Sequence, residues 1–438
     1  LARTLSIFDN NPMVLALMRV SGAGIGFLTQ VLLARVLGAH DLGLFYSVTS
    51  LATVAGFIMS LGYSQIAFRF AARYRDANRE ALFRTFVSRA TLDALAAAVC
   101  TALAISALSL LWPDLDTKTR LCYALGGGMV ISTTALTLYT NFAGSVRMFG
   151  WSFVPEGIVR PLLFLVSITF LWLGFDYLSA VEVALTFTIL NAFFATMIIV
   201  VMLRVLPRLA WPSRSSRHVA TRWRREALTL VLLSLYTNSF ADIGILFATP
   251  FLSSADTALF GICLKLSLLI GYAIQVAQQL AVPDLADARQ AGDVAAMRRA
   301  VRRSLPFPVL ITAAALLGCA LLGDRVLAIF GPHFAHGRDI LIALVACQLV
   351  RAMAGPSPHL ITLSGAQKVN ATLCVGALVL LFAADAALAT AYGPLGAAAA
   401  VFISYTAWIV ATGVALSWLG EIRTDLLMML APPARRTQ

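Results

Sequence analysis

Four basic residues, Arg19, Arg160, Lys265 and Arg351, and three acidic ones, Glu156, Asp242 and Asp385, stand inside long apolar runs of this 438-residue chain. A charge carried into lipid is costly, so such a residue tends to face water, a partner or a solute. Fixed cations at that depth can hold a passing anion. A carboxylate there can take up a proton or a sodium ion and tie solute movement to an ion gradient.

Each of these residues also has a purely structural reading. Arg19 is about two turns into its run and can extend to the membrane interface. Arg160 has Glu156 four residues before it, on the same helical face, so an ion pair fits as well as a solute contact. Arg89 and Asp93 repeat that spacing near the inner end of the third run, where a structural pair is favoured. No carboxylate stands three or four residues from Lys265 or Arg351 in their own runs. At about 1.5 Å per residue both fall near mid-depth, which makes them the stronger candidates to line a cleft.

Asp242 closes the polar cluster Tyr236, Thr237, Asn238 and Ser239. Ion coupling and pairing with Lys265 or Arg351 both remain open for it. Asp385 is the weaker coupling candidate, because its alanine-rich surroundings offer few co-ligands. In the tenth run, Gly355-Pro356-Ser357-Pro358-His359 predicts a kinked or broken helix, since Pro356 and Pro358 remove backbone donors. Freed backbone groups at such a break can contact a solute, or the break is a passive kink.

Positioning these residues requires helices that span a membrane. Hydrophobic residues make up 60% of the chain and charged ones 12%, with a mean hydropathy of +0.84; soluble domains carry about 25% charged residues. Apolar runs of spanning length cover 13–37, 42–68, 86–112, 121–144, 152–174 and 180–202. Six more cover 227–252, 257–282, 305–330, 339–364, 371–392 and 395–419. The first run is too long for the apolar core of a signal peptide and reads as the first helix. The expectation is an all-α polytopic membrane protein of about 12 transmembrane helices.

The cations set the orientation. With both termini on one side, the loops of that side hold twenty-three Lys and Arg, against four (Lys118, Arg120, Arg325 and Arg338) on the other. Positive loops mark the cytoplasm, so both termini are expected there. The same distribution explains the net charge of +12 without nucleic acid, for which no binding motif is present.

Other chemistries lack their residues. The six cysteines show no CxxC pairing, and His333 and His336 alone do not make a metal site. No HExxH or P-loop pattern occurs. No cofactor is expected, and energy for transport would come from an ion gradient or from the cargo.

An internal repeat organises the runs. At an offset of 215, Asp41, Leu44, Phe45, Gly56, Ala71 and Arg84 meet Asp256, Leu259, Phe260, Gly271, Ala286 and Arg299. At 221, Gly144 and Arg147 meet Gly365 and Lys368. Six helices per unit is an even number, so the units enter the membrane in the same sense and form two parallel six-helix lobes with a pseudo-two-fold axis along the membrane normal. The expected division is an N-lobe at 1–203, a basic cytoplasmic linker at 204–226, a C-lobe at 227–420 and a cytoplasmic tail at 421–438. Rocking of such lobes can expose a central cleft to each side in turn. Lys265 and Asp242 have no charged counterpart 215 residues earlier, where Ser50 and Phe27 stand. Charges needed only to build a lobe would tend to recur in both.

The segment Ala34-Arg35-Val36-Leu37-Gly38-Ala39-His40-Asp41-Leu42-Gly43-Leu44-Phe45 resembles the turn between the first two helices of bacterial polysaccharide flippases. The basic loop from Arg69 to Arg84 is similar to theirs as well. With twelve spans in two lobes, the resemblance covers nearly the whole chain. It is to the Wzx-type O-antigen and exopolysaccharide flippases of the multidrug, oligosaccharidyl-lipid and polysaccharide (MOP) exporter superfamily.

The resemblance implies an undecaprenyl-diphosphate-linked oligosaccharide, moved from the cytoplasmic to the periplasmic leaflet of the bacterial inner membrane. It implies that Arg19, Arg160, Lys265 and Arg351 offset the diphosphate charge, and that Asp242, Glu156 or Asp385 couples H+ or Na+. Membrane lipids are the surrounding partners, and a monomer is expected, possible company being polysaccharide assembly proteins. Drug and cation antiporters of the same superfamily share the twelve-helix plan and stay open as the alternative. A membrane enzyme usually needs an extended outer loop, and every outer loop here is short.

Overall fold

The computed structural model describes residues 12–76, 80–113, 115–175, 177–205, 217–422 and 424–425. Among these every regular element is helical, with no strand. The long ones are α1 (Pro12–Met59), α3 (Glu80–Leu111), α4 (Thr117–Ser145), α7 (Ala180–Val205), α8 (Arg217–Asn238), α10 (Ser254–Gln290), α12 (Pro306–Ala328) and α15 (Gln367–Trp418). Shorter ones are α2 (Tyr63–Asp76), α5 (Phe149–Val154), α6 (Arg160–Gly174), α9 (Phe240–Ala248), α11 (Val294–Ser304), α13 (Arg338–Ala354) and α14 (Ser357–Leu363).

Two of the long helices double back on themselves. Gly38 in α1 has φ 71°, ψ 174°, and Gly393 in α15 has φ 59°, ψ −139°, conformations that glycine adopts without the Cβ penalty. Hydrogen bonds show the reversal. Tyr46 donates to Gln30, 16 residues away, which would be about 24 Å distant on a straight helix. Ser404 donates to the Ala377 carbonyl at 2.7 Å, across 27 residues, a separation of about 40 Å if unbent. Eight helical stretches are long and apolar enough to span, and the bent pair ending in α13 and α14 makes a ninth. Dividing the two hairpins adds two arms, and α8 with α9 supplies the last, so the described residues form twelve spanning arms.

Local chemistry sets the helix ends. The Ser253 hydroxyl accepts the Asp256 N–H at the start of α10, and the Asp293 carboxylate accepts the Ala296 N–H at the start of α11. A proline opens α12, where a missing N–H costs little.

The chain divides into two compact units, Leu1–Leu246 and Phe247–Gln438. The boundary falls inside the seventh predicted run, which is not one rod: α8 ends at Asn238 and α9 starts at Phe240. In the first unit α8 is anchored by Trp223, which is fully buried against Phe70, Tyr74 and Phe86 and donates to the Tyr74 hydroxyl at 2.8 Å. Arg224 adds a two-pronged hydrogen bond to Asp93, 2.9 Å on each arm, and Tyr63 donates to the same carboxylate at 2.9 Å. The Arg89–Asp93 pair forms at 3.2 Å, but as one member of this network.

The repeat is visible in packing within each unit. A Cβ placed on Gly56 would lie 2.9 Å from Thr133, and one on Gly271 would lie 2.9 Å from Gln348. Both pairs are related by the same 215-residue offset, so the same helix-to-helix approach recurs in both units.

Candidate functional site

In the first unit two of the charged candidates are linked to the second arm of α1, Arg160 through Phe187 and Asp242 through Ser50. Arg160 opens α6, directly after a π-helical turn at Pro155–Val159. The Arg160 N–H bonds to the Pro155 carbonyl across that turn, an i→i+5 contact. The Glu156–Arg160 ion pair allowed by the spacing is not made. The guanidinium instead donates to Asn191 Oδ1 on α7 at 2.7 Å and lies 5.8 Å from the Phe187 ring centroid. Phe187 in turn packs edge-on against Phe45 of α1 and Phe164 of α6. The cation thus has one face on an aromatic cluster, a geometry that stabilises a guanidinium.

Five residues beyond Phe45, Ser50 donates to Asp242 Oδ1 at 3.2 Å. Asp242 is half-buried in the first turn of α9, where the helix N-terminus favours a negative charge. Arg19 belongs to α1, but its side chain lies outside the described residues. Glu156 is half-buried.

In the second unit α10 and α13 run in the same direction, since Cys263 contacts Gly337, Gly271 contacts Gln348, and Gln278 contacts Gly355. Arg351 lies on this seam, with a terminal nitrogen 3.5 Å from a Cβ placed on Gly271. Lys265 is half-buried on α10, about 9 Å along the axis from Gly271. Asp385 on α15 is fully buried, and neither of its oxygens has a hydrogen-bond partner among the described residues.

The helix break falls at Gly355, φ 60°, with a bend of 46° between the flanking segments. Its freed carbonyls are already occupied. Gln278 donates to the Gly355 oxygen at 2.9 Å, and Ser357 and Thr424 donate to the Ala354 oxygen at 2.6 and 3.3 Å. Pro356 and Pro358 leave those backbone groups to protein partners in this conformation.

Asn191, Ser50, Gln278 and Gln348 were not singled out from the sequence. Their signal was there: uncharged polar side chains inside apolar runs, three of them amides.

The family model described as Polysaccharide biosynthesis protein matches residues 10–286, more than half of the chain. The chain belongs to that family. Comparison with curated proteins finds no match. Among solved structures, the lipid II flippase MurJ in an inward closed conformation superposes with a TM-score of 0.73 at 11% identity, covering 92% of this chain and 87% of that one. An inward-facing multidrug resistance MATE transporter of the MOP superfamily gives 0.65 at 16%, covering 92% of each. A MOP superfamily transporter from Pyrococcus furiosus gives 0.54 at 15%, covering 95% and 99%. This family member therefore has the MOP-superfamily fold, as the turn at Gly38 and the twelve runs led one to expect.

Proposed function

We propose that the protein flips an undecaprenyl-diphosphate-linked oligosaccharide from the cytoplasmic to the periplasmic leaflet of a bacterial inner membrane, both termini being cytoplasmic. The observation that carries this reading is the pairing of a polysaccharide biosynthesis family match with intramembrane cations, foremost Arg160 on its Asn191 and Phe187 support. A diphosphate crossing a low dielectric needs such cations near its path. Arg19, Lys265 and Arg351 complete the proposed cationic lining.

In this reading the lobes are 1–203 and 227–420, joined by the linker 204–226, and they alternate access to the cleft between them. The protein works as a monomer and catalyses no covalent change. Asp242, and more weakly Asp385 and Glu156, bind the coupling proton or sodium ion. The loss of helical geometry around Gly355, Pro356 and Pro358 places a break in the tenth span beside Arg351.

The competing function is drug or cation antiport, suggested by the likeness to a MATE transporter. Deleting the gene and assaying lipid-linked saccharides by leaflet separates the two. Accumulation on the cytoplasmic leaflet is the expected result. Normal surface glycan with lost drug tolerance would establish the antiporter instead.

A further inference from the structure

The short helix α11 between α10 and α12 is divided sharply by residue type. Met297, Ala300 and Val301 are buried, and they pack into a core with Leu285, Leu305 and Leu360. Arg298, Arg299, Arg302 and Arg303 occupy the opposite half of the helix, at 100° per residue. The apolar face is thus taken up by the protein itself; on the opposite side Arg299 and Arg303 are exposed, whereas Arg298 and Arg302 are half-buried. Asp293, the helix's own cap, lies 3.5 Å from Arg299.

The depth of this face in the membrane follows from what comes next in the chain. α12 begins at Pro306, and its outward residues are apolar at once: Phe307 is 61% exposed and Leu310 69%. Large exposed hydrophobic side chains on a spanning helix mark the acyl-chain region. Arg303 is four residues before Phe307, about 6 Å along the chain axis. Arg303, with Arg302 beside it, is therefore held where lipid headgroups lie, and Arg299 follows one turn further out.

We propose that the arginine face of α11 is a docking surface for the phosphates of anionic phospholipids, fixing the second unit at the membrane surface. Guanidinium groups bind phosphate oxygens through paired N–H donors, and basic groups at a membrane surface attract anionic headgroups. The site depends only on α10 and α12 being spans, not on the cargo.

The test uses the full-length protein purified in a non-ionic detergent, with its melting temperature followed during titration. Dioleoyl phosphatidylglycerol should raise the melting temperature, whereas dioleoyl phosphatidylcholine and inorganic phosphate should leave it unchanged. In the variant R299Q/R303Q, which alters two exposed side chains, the half-effective phosphatidylglycerol concentration should rise about fivefold per arginine removed. R299K/R303K keeps the charge and should remain near wild type, which controls for folding. The proposal is overturned if phosphatidylglycerol has no effect or acts equally on the wild type and R299Q/R303Q. A response to phosphatidylcholine of the same size, or to phosphate alone, would overturn it too.

Discussion

Arg160 donates a 2.7 Å hydrogen bond to Asn191, joining α6 to α7 just after a π-helical turn. That bond holds a cation without neutralising it, which a partnership with Glu156 would have done. Under the proposed function, R160A should lower surface glycan at least tenfold at unchanged protein abundance in the membrane. R160K retains charge but not the planar fork and should keep a minor part of the activity. Equal export by wild type and R160A would remove Arg160 from the cargo path.

Asp385 separates stability from function. A fully buried carboxylate with no hydrogen-bond partner among the described residues opposes folding when ionised. D385L should raise the melting temperature by about 2 °C or more while reducing gradient-driven transport. Melting in detergent and transport in proteoliposomes read the two effects. A destabilised D385L with wild-type transport would mean that the carboxylate serves packing.

Lys265 and Arg351 test the second unit. K265A and R351A should each impair export, and the double variant should abolish it while protein remains in the membrane. Export at the wild-type level by the double variant would exclude both from the mechanism.

The recurring helix contact gives a stability prediction. At Gly56 a new Cβ would press on the branched Thr133 side chain at 2.9 Å and on the Thr134 backbone nitrogen at 3.3 Å; at Gly271 it would meet the end of the Gln348 side chain. Branched side chains and backbone yield less than a flexible amide. G56A should therefore cost about 1–3 kcal/mol, and G271A less. Thermal melting of the two variants reads the order, and a more damaging G271A would contradict the packing described.

Much of this fold was legible in the sequence because lipid imposes a simple rule: apolar runs of spanning length must be helices. The turn at Gly38 and the Gly56/Gly271 repeat could be read directly. The break at Ser239 inside the seventh run could not, because hydropathy averages over a local interruption that does not change composition. The partner of Arg160 was missed for a related reason. Spacing allowed Glu156 as a partner beside a solute contact, whereas Asn191, the partner found, is 31 residues away on another helix. The break at Gly355 was legible, whereas Gln278 and Thr424 as partners of its carbonyls depend on tertiary packing.

Translocation by the purified protein tests the central claim most directly. Proteoliposomes containing the protein and an undecaprenyl-diphosphate-linked oligosaccharide would be probed with a membrane-impermeant reagent that modifies only outward-facing sugar. The account predicts that nearly all of the lipid-linked sugar becomes reactive with wild-type protein, and only about the outer half with R160A or with empty liposomes. A reactive fraction that stays at about one half with correctly folded wild-type protein would contradict it.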